Sequence, residues 1–126
     1  MTKEAATALL DIYGRAWVTR DPDLILSIFT PDATYNDPRE SENQGHAGIR
    51  SYWINKVVNG QKDISFKLLH VWTDKVGGVV IAEWEAQFTD IKRKLRIDMK
   101  EVAIFTVKDE KFGSLREYYS DIKTPL

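Results

Sequence analysis

With 126 residues, 43% hydrophobic and 29% charged, the chain has the length and composition of one globular domain spanning 1–126 with a sizeable core. Eighteen Lys and Arg against nineteen Asp and Glu leave a formal charge of −1, so no global field recruits nucleic acid or a membrane surface, and neither partner is expected. With no cysteine, disulfides, thiolate catalysis and cysteine-ligated metals are excluded, and His46 and His70 lack metal-ligand spacing, so neither a metal nor a cofactor is expected. No run approaches the roughly 20 apolar residues of a membrane span, and Asp11 and Arg15 interrupt the amino-terminal stretch before a signal-peptide core forms. A cytoplasmic protein is expected. Four Trp, five Tyr and five Phe are many large rings for this length, and some are expected to line a cavity.

Thr2 is placed to cap a helix over Lys3 to Thr19, in which Ala6, Leu9, Tyr13, Ala16 and Trp17 recur at three- and four-residue intervals. Asp21-Pro22 reads as a cap with a first-turn proline, opening a second helix through Leu24, Ile25, Ile28 and Phe29 that Thr30-Pro31-Asp32 stops. Ala33, Tyr35 and Asp37 alternate with Thr34 and Asn36 in a short strand ending at Pro38, and a polar loop follows to Gly45. Ile49, Tyr52, Trp53 and Val57 mark a third helix closing near Asn59-Gly60. From Ile64 the period changes to two. Strands over Ile64 to Thr73, Val79 to Phe88, Leu95 to Val107 and Phe112 to Ile122 are joined by hairpins, which predicts an α+β domain with helices over one face of an antiparallel sheet. The run Lys92-Arg93-Lys94 reads as a solvated hairpin.

Tyr13-Gly14-Arg15-Ala16-Trp17, the string from Phe29 to Pro38, Gly45-His46-Ala47-Gly48-Ile49, the Tyr52-Trp53 pair and Ser114 to Asp121 together resemble a known family. It is the SnoaL-like branch of the nuclear transport factor 2-like superfamily, which includes ketosteroid isomerases. The resemblance covers essentially the whole chain. It implies a cone of three amino-terminal helices packed on a strongly curved antiparallel sheet, with a deep apolar pocket. Family members include isomerases, cyclases, dehydratases and noncatalytic binding modules, so the site must decide the function.

Alternation puts Asp37 on the same strand face as Ala33 and Tyr35. If that face looks inward, Asp37 is a carboxylate in an apolar pocket, and proton abstraction beside a carbonyl needs such a positioned base; the alternative is a cap of the Asp37-Pro38 turn. The resemblance places Asp37 at the isomerases' general base and Tyr13 at their oxyanion tyrosine, although a core tyrosine reaching the surface also fits. Where it implies a second, protonated acid on the penultimate strand, this chain has Ala103. Leu95, Ile97, Met99, Glu101, Ala103 and Phe105 share one strand face, and Glu101 is the only acid among them, so it is a candidate replacement unless a bulge turns it outward.

His70 shares a predicted face with Phe66, Leu68 and Trp72, which makes it either a pocket imidazole or a core histidine. Trp17, Tyr35, Trp53, Phe66, Trp84 and Tyr119 are candidate ligand-contacting walls, with plain core packing the alternative, above all for Trp84. His46 is expected to be exposed. The expected function is cofactor-independent proton transfer (isomerisation, cyclisation or dehydration) on a small hydrophobic carbonyl ligand, with Asp37, Tyr13 and Glu101 catalytic. The alternative is a noncatalytic ligand-binding or dimerisation module. A homodimer is expected through the outer face of the long sheet, which carries Glu83, Glu85, Lys100, Val102, Ile104, Arg116 and Tyr118.

Overall fold

A computed structural model describes all 126 residues, Met1–Leu126. Helix α1 spans Lys3–Thr19, and Thr2 caps it by accepting from the Ala5 N–H at 3.1 Å. It ends in a Schellman-type turn: Arg20 takes a left-handed conformation (φ 56°), its N–H reaches the Trp17 carbonyl, and the Asp21 N–H reaches that of Ala16. Asp21 then caps the short helix α2, Pro22–Leu26, through the N–H groups of Asp23 and Leu24.

Helix α2 is shorter than its apolar pattern predicts, because Phe29-Thr30-Pro31-Asp32 belongs to strand β1, Phe29–Asn36. The chain already runs extended there, and Pro31 is tolerated because it sits where the pairing of β1 with its neighbour slips. Strand β2 is the two-residue segment Asn43–Gln44. Helix α3, Gly45–Trp53, starts before the first of its predicted apolar positions and runs into a π-helical turn over Ile54–Val58. His46 is half-buried rather than exposed, with its Nε2 2.9 Å from the Phe29 carbonyl oxygen.

Strands β3 (Gln61–Thr73), β4 (Val79–Asp90), β5 (Leu95–Lys108) and β6 (Lys111–Pro125) form a meander. The sheet has six strands in the order β2-β1-β6-β5-β4-β3, and β1 runs parallel to β6. The expected all-antiparallel sheet is therefore corrected to a mixed one. The parallel pair joins the early strand to the last one, a long-range contact that no local pattern encodes.

One face of this sheet is covered by the helices and is almost wholly apolar. Ile97, Met99, Ala103 and Phe105 of β5 and Ala82, Trp84 and Ala86 of β4 are buried on it. The β4–β5 register runs from Val79↔Thr106 to Asp90↔Leu95 without a shift, so alternation survives its whole length. Gly14 in α1 lets the helix lie against Phe66 of β3, since a Cβ there would stand 2.4 Å from the Phe66 Cδ1. Gly14→Ala is expected to lower the urea midpoint, because overpacking costs roughly 1–3 kcal/mol against about 1 kcal/mol gained in helix propensity. An unchanged or raised midpoint would mean that the Phe66 ring swings aside freely.

Candidate active site

Between the helices and the carboxyl half of the sheet lies a cavity of ≈ 490 Å³. Tyr13 and Trp17 reach it from α1, Tyr35 and Asp37 from the end of β1, and Tyr52 and Trp53 from α3. Glu101 lines it from β5, and Glu117 and Tyr119 from β6. The π-helical turn adds Lys56 and Val57, and Arg39, Glu40, Asp90, Lys92, Arg93 and Asp121 bring charge to its lining.

Three carboxyl groups are buried on this wall: Asp37, Glu101 and Glu117 are 2%, 3% and 6% exposed. Each has a different set of partners. The Asp37 Oδ1 accepts from the Arg39 N–H at 3.0 Å and from the Tyr119 hydroxyl at 3.1 Å, and its Oδ2 accepts from the Tyr52 hydroxyl at 3.0 Å. Both phenols are pushed well above the ordinary tyrosine range, first by burial and then by neighbouring carboxylate charge, so they remain donors. Arg39 stacks over the Tyr119 ring at 4.7 Å and lies 3.6 Å from Asp121.

Glu117 uses one oxygen for two phenols. Its Oε1 accepts from the Tyr13 hydroxyl at 3.0 Å and from the Tyr35 hydroxyl at closer range, while the two hydroxyls lie 3.1 Å apart. Neither phenol touches Oε2, which is left free toward the cavity. Burial pushes the Glu117 carboxyl up to about 7, the bonds from Tyr35 and Tyr13 pull it back, and the charge of Asp37 raises it further. Burial and the charge of Glu117 push both phenols far above their usual range.

Glu101 has no such support. Its Oε2 is buried without a hydrogen-bond partner, and burial, then the charges of Glu117 and Asp37, hold its carboxyl well above the ordinary range. Burial and the neighbouring charges thus favour its protonated form, in which it is a donor. No three His, Asp or Glu side chains are grouped closely enough to hold a metal ion.

The structure thus brings Tyr13, Trp17, Tyr35, Asp37, Trp53, Glu101 and Tyr119 to one cavity, and leaves out Phe66, His70 and Trp84. Phe66 packs behind Tyr13 and Trp17, with ring centroids 5.9 and 6.1 Å away. Trp84 is fully buried core, 4.9 Å from the Tyr13 ring. His70 faces solvent on the other side of the sheet, where it pairs with Glu83 at 2.9 Å and stacks on the exposed Trp72. A β-bulge between Leu68 and His70 inserts one unpaired residue and reverses the alternation beyond it.

The Tyr13 hydroxyl, at the cavity wall, bonds to Glu117 and Tyr35. Glu117 itself went unread in the sequence, as did Tyr52. Inward alternation from Tyr119 identifies Glu117 two residues earlier. Its place is directly opposite Ala103 across the β5–β6 ladder, beside the position where the resemblance implies the second acid.

The sequence matches the SnoaL-like domain family over residues 10–114, and the chain belongs to that family. Its fold is nuclear transport factor 2-like. SalBIII, described as an epoxide hydrolase/cyclase-like enzyme in pyran ring formation in the polyether salinomycin, superposes with a TM-score of 0.76 at 25% identity, covering 90% of this chain and 89% of its own. A type 2 hexachlorocyclohexane dehydrochlorinase, LinA, gives 0.82 at 17% identity over 98% and 87%. A protein with a ketosteroid isomerase-like fold from Catenulispora acidiphila gives 0.78 at 16% over 89% and 85%. At these identities the last two speak for the fold alone. No curated protein sequence matches. The family and SalBIII support a small-molecule catalytic or binding role, and no helix is long and apolar enough to cross a membrane.

Proposed function

We propose that the cavity catalyses cofactor-independent proton transfer on a small, largely apolar carbonyl compound, leading to isomerisation, cyclisation or dehydration. The observation that carries this reading is the Tyr13–Glu117–Tyr35 cluster: a neutral carboxyl proton on Oε2 has its conjugate base supported in advance by two phenols on Oε1. As a substrate carbonyl enolises, its oxygen draws on the Glu117 proton. The two phenols then stabilise the charge left on Glu117. Tyr13 acts here through Glu117, as a positioning residue.

Asp37 takes the carbon-bound proton. Tyr52 and the Arg39 N–H each hold one oxygen, and Tyr119 divides its single proton between Oδ1 at 3.1 Å and Oδ2 at 3.3 Å, so the longer Oδ2 contact is the one a substrate proton displaces. Trp17, Tyr35, Trp53 and Tyr119 supply the apolar walls for the rest of the ligand. SalBIII, at 25% identity and described as epoxide hydrolase/cyclase-like, supports a small-molecule site. The test is deuterium uptake from heavy water at the carbon beside the carbonyl of aryl ketones. Catalysed exchange is expected, and exchange at the buffer rate would contradict the proposal. A second reading, a binding module without turnover, is favoured by the three donors already on Asp37; tight ketone binding without exchange would select it.

The proposal extends to a homodimer through the outer face of the sheet, where Val102 and Tyr118 are 38% and 50% exposed. Sedimentation at micromolar concentration should show a species of twice 14.5 kDa, whereas a 14.5 kDa species alone would refute the dimer.

A further inference from the structure

We infer that the cavity selects a ligand carrying two oxygen functions a few carbons apart, as in a β-dicarbonyl or hydroxy-ketone, with one oxygen on Glu117 and the other on Glu101. This rests on the acid–base reading above and names its substrate class. Glu101 lies opposite Tyr119, and Glu117 lies opposite Ala103. The two acids are therefore diagonal neighbours on the inward face of adjacent antiparallel strands, a relation that sets residues about 7–8 Å apart. Both side chains line the same cavity. Ala103 and Tyr119 occupy the other two corners of this four-residue patch.

Both acids carry unmet hydrogen-bonding capacity. The Glu117 Oε2 is free toward the cavity, and the Glu101 Oε2 is buried with no partner in the protein. Buried polar atoms are rarely left unpaired, so an orphan on a cavity wall marks a place for a ligand group. No lysine or arginine meets this need. Of the four cations lining the cavity, Arg39 is matched by Asp121, Lys56 by Glu40 and Arg93 by Asp90, Lys92 forms no ion pair, and neither Glu101 nor Glu117 enters one. A ligand with one oxygen satisfies Glu117 and leaves Glu101 orphaned. A second oxygen satisfies both. Glu101 is on this account the specificity residue, and it separates dioxygenated from monooxygenated ligands of the same carbon skeleton.

Benzoylacetone and butyrophenone make the comparison, since they share that skeleton and differ by one carbonyl oxygen. Calorimetric or NMR titration of the wild-type protein should show benzoylacetone binding at least tenfold tighter. Glu101→Gln keeps a donor and should retain most of that ratio, while Glu101→Leu should bring it close to one. Equal affinities in the wild type, which need no variant, would overturn the inference, as would a preference that survives Glu101→Leu. Deuterium exchange into either ketone, followed in the wild type and in Asp37→Asn, reports on the base independently. Exchange without selectivity sinks the two-oxygen inference alone, whereas selectivity without exchange upholds it and sinks the catalytic reading.

Discussion

Asp37→Asn should leave the fold in place and slow carbon-proton exchange by about 10²–10⁴-fold, the usual worth of a positioned general base. Asparagine keeps the shape. Its Oδ1 still accepts from the Arg39 N–H and the Tyr119 hydroxyl, and the Tyr52 hydroxyl can rotate to accept from the new amide where it formerly donated. What disappears is the ability to take a proton. Thermal melts close to the wild type together with lost exchange would uphold the assignment. A variant that exchanges ketone protons at the wild-type rate would reduce Asp37 to its other role, that of a turn cap. The Arg39 N–H bonds its side chain and the Glu40 N–H bonds its carbonyl at 3.0 Å, which is the turn after Asp37-Pro38.

Glu117→Gln should cost about 10²–10³ in turnover, the loss seen when one donor to a developing oxyanion is removed. It should also change two pH profiles. Turnover requires the proton on Glu117, so wild-type activity should fall as pH rises through about 7, and that limb should be missing in the variant. Stability follows the same sign. A carboxyl raised in the fold from 4.5 to about 7 stabilises fully below its ordinary range, and this contribution is lost as pH rises through about 7. The difference corresponds to roughly 3 kcal/mol between about pH 4 and pH 8. Urea titrations at both ends should show a smaller pH dependence for Glu117→Gln than for the wild type. Glu101, raised first by burial and then by the charges of Glu117 and Asp37, adds a loss of the same sign.

How legible each part was depended on whether its cause was local. Helix α1 could be read to its ends because Thr2, the helical stripe and the chain break at Asp21-Pro22 are all in adjacent sequence. Glu101 could be placed inward because β4 and β5 pair without a slip, so period two holds from Leu95 to Phe105. The same reasoning failed for His70. Leu68-Leu69-His70 carries no glycine or proline to mark a bulge, and Val71 rather than His70 takes the buried position beyond it.

Glu117 was hidden for a different reason. Its strand face reads Leu115, Glu117, Tyr119, Asp121, and half of those residues are acids that belong in water by composition alone. Only the phenols of Tyr13 and Tyr35, 104 and 82 residues away in sequence, make its burial tolerable. The parallel β1–β6 pairing has the same long-range origin and places Asp37 beside Tyr119 at the cavity.

Catalysis on this reading turns on a Glu117 that keeps its proton up to about pH 7, and carboxyl carbon NMR of the ligand-free protein measures this directly once Glu117→Gln has assigned the resonance. The Glu117 carbon should titrate with a midpoint of about 7. A midpoint in the ordinary glutamate range, near about 4.3, would leave Glu117 ionised where the mechanism needs its proton and would contradict the account.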